Sequence, residues 1–194
     1  MQCWSCGAEP VSGRFCAQCE KIQPVHPAWT AFDVLGVPRG MRQDRAALDR
    51  AFREVSRRVH PDRFRSASAI ERRLALEQTT AVNEAFQRLK DPRRRAEYLL
   101  SLRGIEIGSE EHRTRDPGLL MEMMERTERI DGAPDAEALE TERSRLRSER
   151  GEILTALETL LDRDDADPAP AARQLERLRY LMRLEERVEG KLET

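Results

Sequence analysis

Aromatic residues make up only 5% of this 194-residue chain, and hydrophobic residues 39%. So little large apolar surface argues against a big enzyme core. It favours one or two small helical domains with wide solvated faces. No apolar run approaches the ~20 residues that a membrane helix needs. A charged-then-apolar leader is missing, and the N-terminus is unlike an Arg-rich transit peptide. A soluble, cytoplasmic protein with no membrane partner is therefore expected. Lysine is nearly absent: of 34 basic residues only Lys21, Lys90 and Lys191 are lysine. Acidic residues number 36, so the formal net charge is −2, which argues against a general nucleic-acid binder. Strand-like alternation persists nowhere, and there is no internal repeat.

What is present falls into three zones. Residues 1–23 hold all four cysteines, as Cys3-x2-Cys6 and Cys16-x2-Cys19. Each Cys-x2-Cys lets a tight turn aim two thiolates at one ion, and two such knuckles make the four-sulfur set that zinc favours. So short a segment buries no core of its own, so a bound ion would supply most of its stability. One structural zinc is expected; iron and a pair of disulfides are the alternatives. Four protein ligands leave no open position for hydrolysis. The zone's only cations are Arg14 and Lys21, too few for a nucleic-acid ribbon.

The middle zone, residues 28–104, alternates helical pattern with Gly and Pro punctuation. Phe32 and Leu35 mark a short helix that Gly36 and Pro38 stop. Asp44 is placed to cap a second helix reaching about His60. Its Leu48, Ala51, Phe52, Val55 and Val59 make one buried stripe. Arg50, Arg53 and Arg57 line another face, with Arg58 beside them. That face runs into "HPDR", His60-Pro61-Asp62-Arg63. His60 and Asp62 could act as acid and base, but no nucleophile, phosphate loop or further carboxylate lies nearby in sequence. Alternatively the tripeptide is simply a turn, or a rigid polar tip offered to another protein, since Pro61 forces the chain out of the helix. A longer helix follows, with Leu74, Ala75, Val82, Ala85, Phe86 and Leu89 inward. Asp91-Pro92 ends it, and "RRRAEYLLSLRG" adds a last helical piece.

"RGIEIGSEEHRTRDPG", residues 103–118, separates this from the third zone. There, "PGLLMEMMERTERID" projected at ~100° per residue shows two apolar patches. Leu119, Met123 and Ile130 form a core stripe. Leu120, Met121 and Met124 fall on a different side, beside Glu125 and Glu128. Both patches could be buried in a bundle, or the second could be an exposed, adaptable protein-binding surface. Two further helices are expected. One spans about 136–162, with Leu139, Leu146, Ile153, Leu157 and Leu160 inward. The other spans about 170–192, with Leu175, Leu178, Leu181, Met182, Val188 and Leu192 on one side, and Tyr180 and Leu184 elsewhere. "DADPAP" breaks the chain between them. Three such helices make an antiparallel bundle.

A short helix, a basic helix, His-Pro-Asp, a long helix with "NEAF" and then "DPRRRAEY" resembles a J-domain. The resemblance implies that His60, Pro61 and Asp62 trigger the ATPase of a DnaK-class chaperone. It further implies that Arg53, Arg57, Arg58 and Arg63 dock that chaperone, Arg63 standing where the family usually has lysine. "RRRAEYLLSLRGIEIGSEEHRTRDPGLLMEMMERTERID" narrows the resemblance to the HscB family, the J-domain co-chaperones of iron–sulfur cluster assembly. "CWSC…FCAQC" is similar to the four-cysteine version of that family. The implied architecture is all-α: a metal module and linker at 1–27, a J-domain at 28–104, a linker at 105–117 and a three-helix bundle at 118–194. The implied partners are an HscA-type chaperone and an IscU-type cluster scaffold. The scaffold is expected to bind Leu120, Met121, Met124, Glu125, Glu128 and Tyr180. The protein itself is expected to be a non-enzyme, and a monomer or weak dimer. The alternative is a general J-domain co-chaperone that delivers unfolded clients.

Overall fold

A computed structural model describes residues 1–105, 117–163 and 167–193. Most of the expected linker, and residues 165 and 166 of the expected break, lie outside the described residues. Seven α-helices account for most of the described chain. The described residues hold no strand beyond an isolated antiparallel bridge between Phe15 and Ile22. Two compact units divide the chain. The first is Met1–Arg39 with Gln43–Asp91, and the second is Gly40–Arg42 with Pro92–Thr194.

The first unit holds the cysteine module and helices α1 (Ala31–Leu35), α2 (Arg45–Val59) and α3 (Ala69–Lys90). Local chemistry sets each end. Thr30 and Asp33 form a capping box at the start of α1, and Gly36 closes it at φ 67°, a left-handed conformation that costs glycine little. Asp44 caps α2 by accepting from the Ala46 amide. Arg57 and Arg58 sit in its last turn, where cations suit the helix dipole. Ser68 and Glu71 form a second capping box at α3. Asp91 leaves the helix at ψ 121° ahead of Pro92. The core packs α1 and α2 against α3 through Phe32, Leu35, Leu48, Val59, Leu74, Val82 and Leu89. Ala51 and Val55 of the expected stripe are half-buried, and Phe52 stacks on Phe86 with centroids 4.1 Å apart.

The second unit holds α4 (Pro92–Ser101), α5 (Pro117–Asp131), α6 (Ala136–Leu161) and α7 (Ala169–Leu192). α7 is its spine and packs on the other three. Ion pairs Arg150–Glu185 and Arg147–Glu189 show α6 and α7 running antiparallel. Arg177–Glu122 and Arg187–Asp131 show α5 and α7 parallel, as alternating up-down helices require. The helical piece at 92–101 adds a fourth member to the expected trio, burying Ala96, Leu99 and Leu100. The buried stripe of α6 ends on Leu161 rather than Leu160, which is only half-buried. Leu184 is also buried, contrary to its expected position off the core side. α7 is covered by neighbours around more of its circumference than a single stripe allows. Met41, from the short segment Gly40–Arg42, is buried in this unit, and its amide donates to the Asp162 carboxylate.

Candidate functional site

Three constellations carry the chemistry. In the first, the ligand atoms of Cys3, Cys6, Cys16 and Cys19 all lie within 4.8 Å of one another. Cys3 and Cys19 sulfurs are 3.6 Å apart, and Cys6 and Cys16 sulfurs 3.8 Å. A sulfur tetrahedron about 2.3 Å from a central ion has edges of about 3.8 Å, so the donor set fits a zinc-sized ion. A disulfide needs about 2.05 Å, so all four are free thiols and the disulfide alternative fails. The Ser5 amide and the Gln23 side chain both donate to the Cys3 sulfur at 3.4 Å, an outer shell that stabilises a thiolate. Cys3 is held down at about 6, chiefly by the backbone N–H of Cys6. Cys6 is pushed up to about 12: the Ala8 backbone favours its thiolate, but burial and the neighbouring thiols outweigh that. Crowded thiols resist losing several protons together, and a cation among them removes the resistance.

The module is clipped to α3. Arg14 donates through Nε to Gln78 at 2.8 Å and through Nη2 to the Val34 carbonyl at 2.7 Å. Lys21 pairs with Glu71 at 2.9 Å. Gln78 in turn donates to the Gln23 carbonyl at 2.9 Å. Both cations of the cysteine zone are thus spent on the fold. Sequence reasoning missed this clip, although an arginine, a lysine and a glutamine in so small a module were its available signal.

The second constellation is the α2–α3 tip. α2 ends at Val59, and Pro61 opens a 3-10 turn, Pro61–Phe64. The Asp62 amide donates to His60 Nδ1 at 3.3 Å, and Asp62 pairs with Arg65 at 3.1 Å. Thr79 of α3 donates to the Val59 carbonyl at 3.2 Å, tying the tip's base. The His60 and Asp62 side chains are 56% and 61% exposed, so nothing encloses them as an acid/base pair requires. Arg53, Arg57, Arg58 and Arg63 are all exposed. Among the described residues, none of the four has a carboxylate within ion-pair distance. The tip therefore stands as a rigid polar point beside unpaired guanidinium groups.

The third constellation lies on α5 and α7. Leu120 is 39% exposed, and Met121 and Met124 are each 65% exposed. An open groove of about 420 Å³ is lined by Leu120, Met123, Met124, Thr127, Glu128, Tyr180, Arg183, Leu184 and Arg187. It brings Tyr180 to Leu120, Met124 and Glu128 across two helices. Met121 and Glu125 are exposed but do not line it. Arg126 leaves the patch uninterrupted, because its side chain pairs with Glu149 of α6 at 2.7 Å. Sequence reasoning missed Arg183, whose guanidinium lies 4.4 Å from the centre of the Tyr180 ring.

These features, a His-Pro-Asp tip on a basic helical hairpin followed by a helical bundle, define a J-domain co-chaperone. Residues 30–98 match the DnaJ domain family, and residues 115–189 match the HSCB C-terminal oligomerisation domain. The co-chaperone protein HscB homolog of Burkholderia multivorans is 41% identical over 165 residues, covering 84% of this chain and 93% of the relative. That of Burkholderia mallei is 43% identical over 148 residues, covering 74% and 85%. The crystal structure of human co-chaperone protein HscB superposes with a TM-score of 0.86 at 30% identity, over 98% of both chains. The chaperone HscB from Vibrio cholerae superposes at 0.73 with 34% identity, over 84% of this chain and 97% of that one. The chain belongs to the HscB family, non-enzymatic J-domain co-chaperones of iron–sulfur cluster assembly. Among the described residues no helix is long and apolar enough to cross a membrane.

Proposed function

We propose that this chain is a two-site adaptor working in the cytoplasm. Its J-domain stimulates the ATPase of an HscA-type chaperone through His60, Pro61 and Asp62, docked by Arg53, Arg57, Arg58 and Arg63. Its α5–α7 groove holds an IscU-type cluster scaffold, with Leu120, Met121, Met124, Glu125, Glu128 and Tyr180 as contacts. The observation that carries the scaffold arm is the exposure of Leu120 and Met124 at a groove that Tyr180 completes, with Met121 exposed on the same helix. Monomeric soluble proteins seldom leave such a patch uncovered without a partner for it. Unpaired arginines speed encounter with an acidic partner face, and the proline-fixed tip then sets the geometry. The four cysteines hold one structural zinc, for which the sulfur spacing is suited. The metal leaves no open ligand position and takes no part in ATP chemistry, which belongs to the chaperone.

The test is a steady-state ATPase assay of an HscA-type chaperone, run with this chain, with the scaffold, and with both. Stimulation by the chain alone, and a further rise when scaffold is added, is expected. Equal stimulation with any unfolded protein in the scaffold's place would instead favour a general J-protein. Metal analysis of the purified chain should return one zinc per molecule.

A further inference from the structure

Phe15 stands next to the metal ligand Cys16, yet its ring meets the chaperone-facing helix. The Arg58 guanidinium carbon lies 5.2 Å from the centre of that ring, within the range of a cation–π contact. The backbone that carries the ring is fixed from both sides. On one side Arg14 is locked by Gln78 and Val34, and its carbonyl accepts from the Gln23 amide at 2.9 Å. On the other, the Cys16 amide donates to the Lys21 carbonyl at 3.0 Å. Phe15 itself bridges to Ile22, which is fully buried. Arg58 remains exposed and has no carboxylate partner among the described residues. A guanidinium held over a ring face gains the cation–π attraction without spending a hydrogen bond, so its N–H groups stay available to an incoming carboxylate. Held this way, it loses less rotamer entropy on docking than a loose arginine.

We propose that Phe15 is a positioning residue for chaperone docking, so that the cysteine module acts as a buttress that presents Arg58 to the chaperone. The inference rests on the chaperone-docking reading above. It assigns the module a role in partner binding beyond stabilising the N-terminus. Arg53 and Arg57 have no aromatic support of this kind among the described residues. The effect therefore belongs to Arg58 alone, and it falls on the concentration needed for docking, not on the trigger at His60.

The experiment titrates the full-length chain into an HscA-type chaperone and fits the half-maximal concentration and the maximal ATPase rate separately. Phe15→Leu keeps an apolar side chain at the position and removes the ring. It should raise the half-maximal concentration about threefold, the size expected of one exposed cation–π contact, and leave the maximal rate unchanged. Phe15→Tyr should restore the wild-type value. In an Arg58→Ala background, Phe15→Leu should add nothing, because the two residues form one coupled unit. An unchanged half-maximal concentration in Phe15→Leu would overturn the proposal. So would an equal effect in both backgrounds, which would mark Phe15 as merely structural. A wild-type chain that fails to stimulate at all would sink the docking reading itself, and this inference with it.

Discussion

At the scale of single residues, His60 has the most to lose from a small change. Its Nδ1 accepts from the Asp62 amide, so the ring orders the turn that follows α2. Its side chain is mostly exposed and supports no packed core. His60→Gln should therefore leave the melting temperature within about 2 °C, in line with the ~0.5 kcal/mol of a typical surface substitution. It should reduce chaperone stimulation to the basal rate, because a flexible amide does not reproduce a ring held beside Pro61. Circular dichroism melting and the ATPase assay check the two halves of this expectation. Stimulation retained at the wild-type level would remove His60 from the trigger. Single residues also show where sequence was legible. Asp44, Gly36 and Asp91-Pro92 announced helix ends because caps and breakers act locally. Arg14 and Phe15 gave no sign of which residues they meet, since their partners Gln78 and Arg58 lie more than forty positions away.

At the scale of elements, local patterns gave the helices, while their exposure came from packing. Projection of α5 separated Met123 and Ile130 from Leu120, Met121 and Met124, and burial follows that division. The same method missed Leu161 and Leu184, because α6 and α7 are enclosed by more than one neighbour. It also had no means of weighing the arginine–glutamate lattice on the bundle. Arg177 reaches Glu122 at 2.9 Å and Glu149 at 2.7 Å, while Arg126 reaches Glu149 at 2.7 Å. Burial raises the Glu149 pKa, but bonds from Arg177 and Arg126 outweigh it and leave the carboxyl below its ordinary value. A depressed folded-state value stabilises fully above the unfolded-state value of ~4.3, and that stability is lost as pH falls through the folded value. Glu149→Gln should cost about 1–2 kcal/mol at pH 7, since charge-assisted bonds from two arginines are weakened at a partly exposed site. The deficit should shrink as pH falls through that lowered folded-state value, where the wild-type carboxyl itself takes up a proton. Urea unfolding at pH 7 and at successively lower pH checks both the size and its direction.

The cysteine module gives a second prediction at this scale. The Trp4 indole donates to the Ile22 carbonyl at 2.7 Å, and Arg14 lies 5.5 Å from the centre of the Trp29 ring. These are the chain's two tryptophans, so both report on the module. Withdrawing metal with a strong chelator should shift their emission to the red. The far-UV helical signal should keep most of its amplitude, because every α-helix lies outside residues 1–23. Unchanged emission after verified metal loss would show that the module holds its fold without an ion.

At the scale of the whole molecule, the proposed adaptor needs no catalytic group on either surface, and what one chain would add is that it carries both. A partner held on one surface meets the partner of the other at an effective concentration set by the intervening chain, of millimolar order rather than the micromolar level of free proteins. That advantage disappears when the surfaces are on different molecules. Leu120→Ala, Met121→Ala and Met124→Ala combined should weaken scaffold binding roughly 100-fold, as loss of a hot-spot cluster does. The same variant should still stimulate the chaperone when no scaffold is present, because the J-domain is untouched. Mixing it with the His60→Gln variant then isolates the linkage. Each chain in the mixture has one intact surface, so all the contacts exist in the tube, but never on one molecule. The mixture should stimulate only as far as the triple variant does alone, with no further rise on adding scaffold. A mixture that recovered the full scaffold-dependent rate would show that the two surfaces work without being joined, and the adaptor reading would fail.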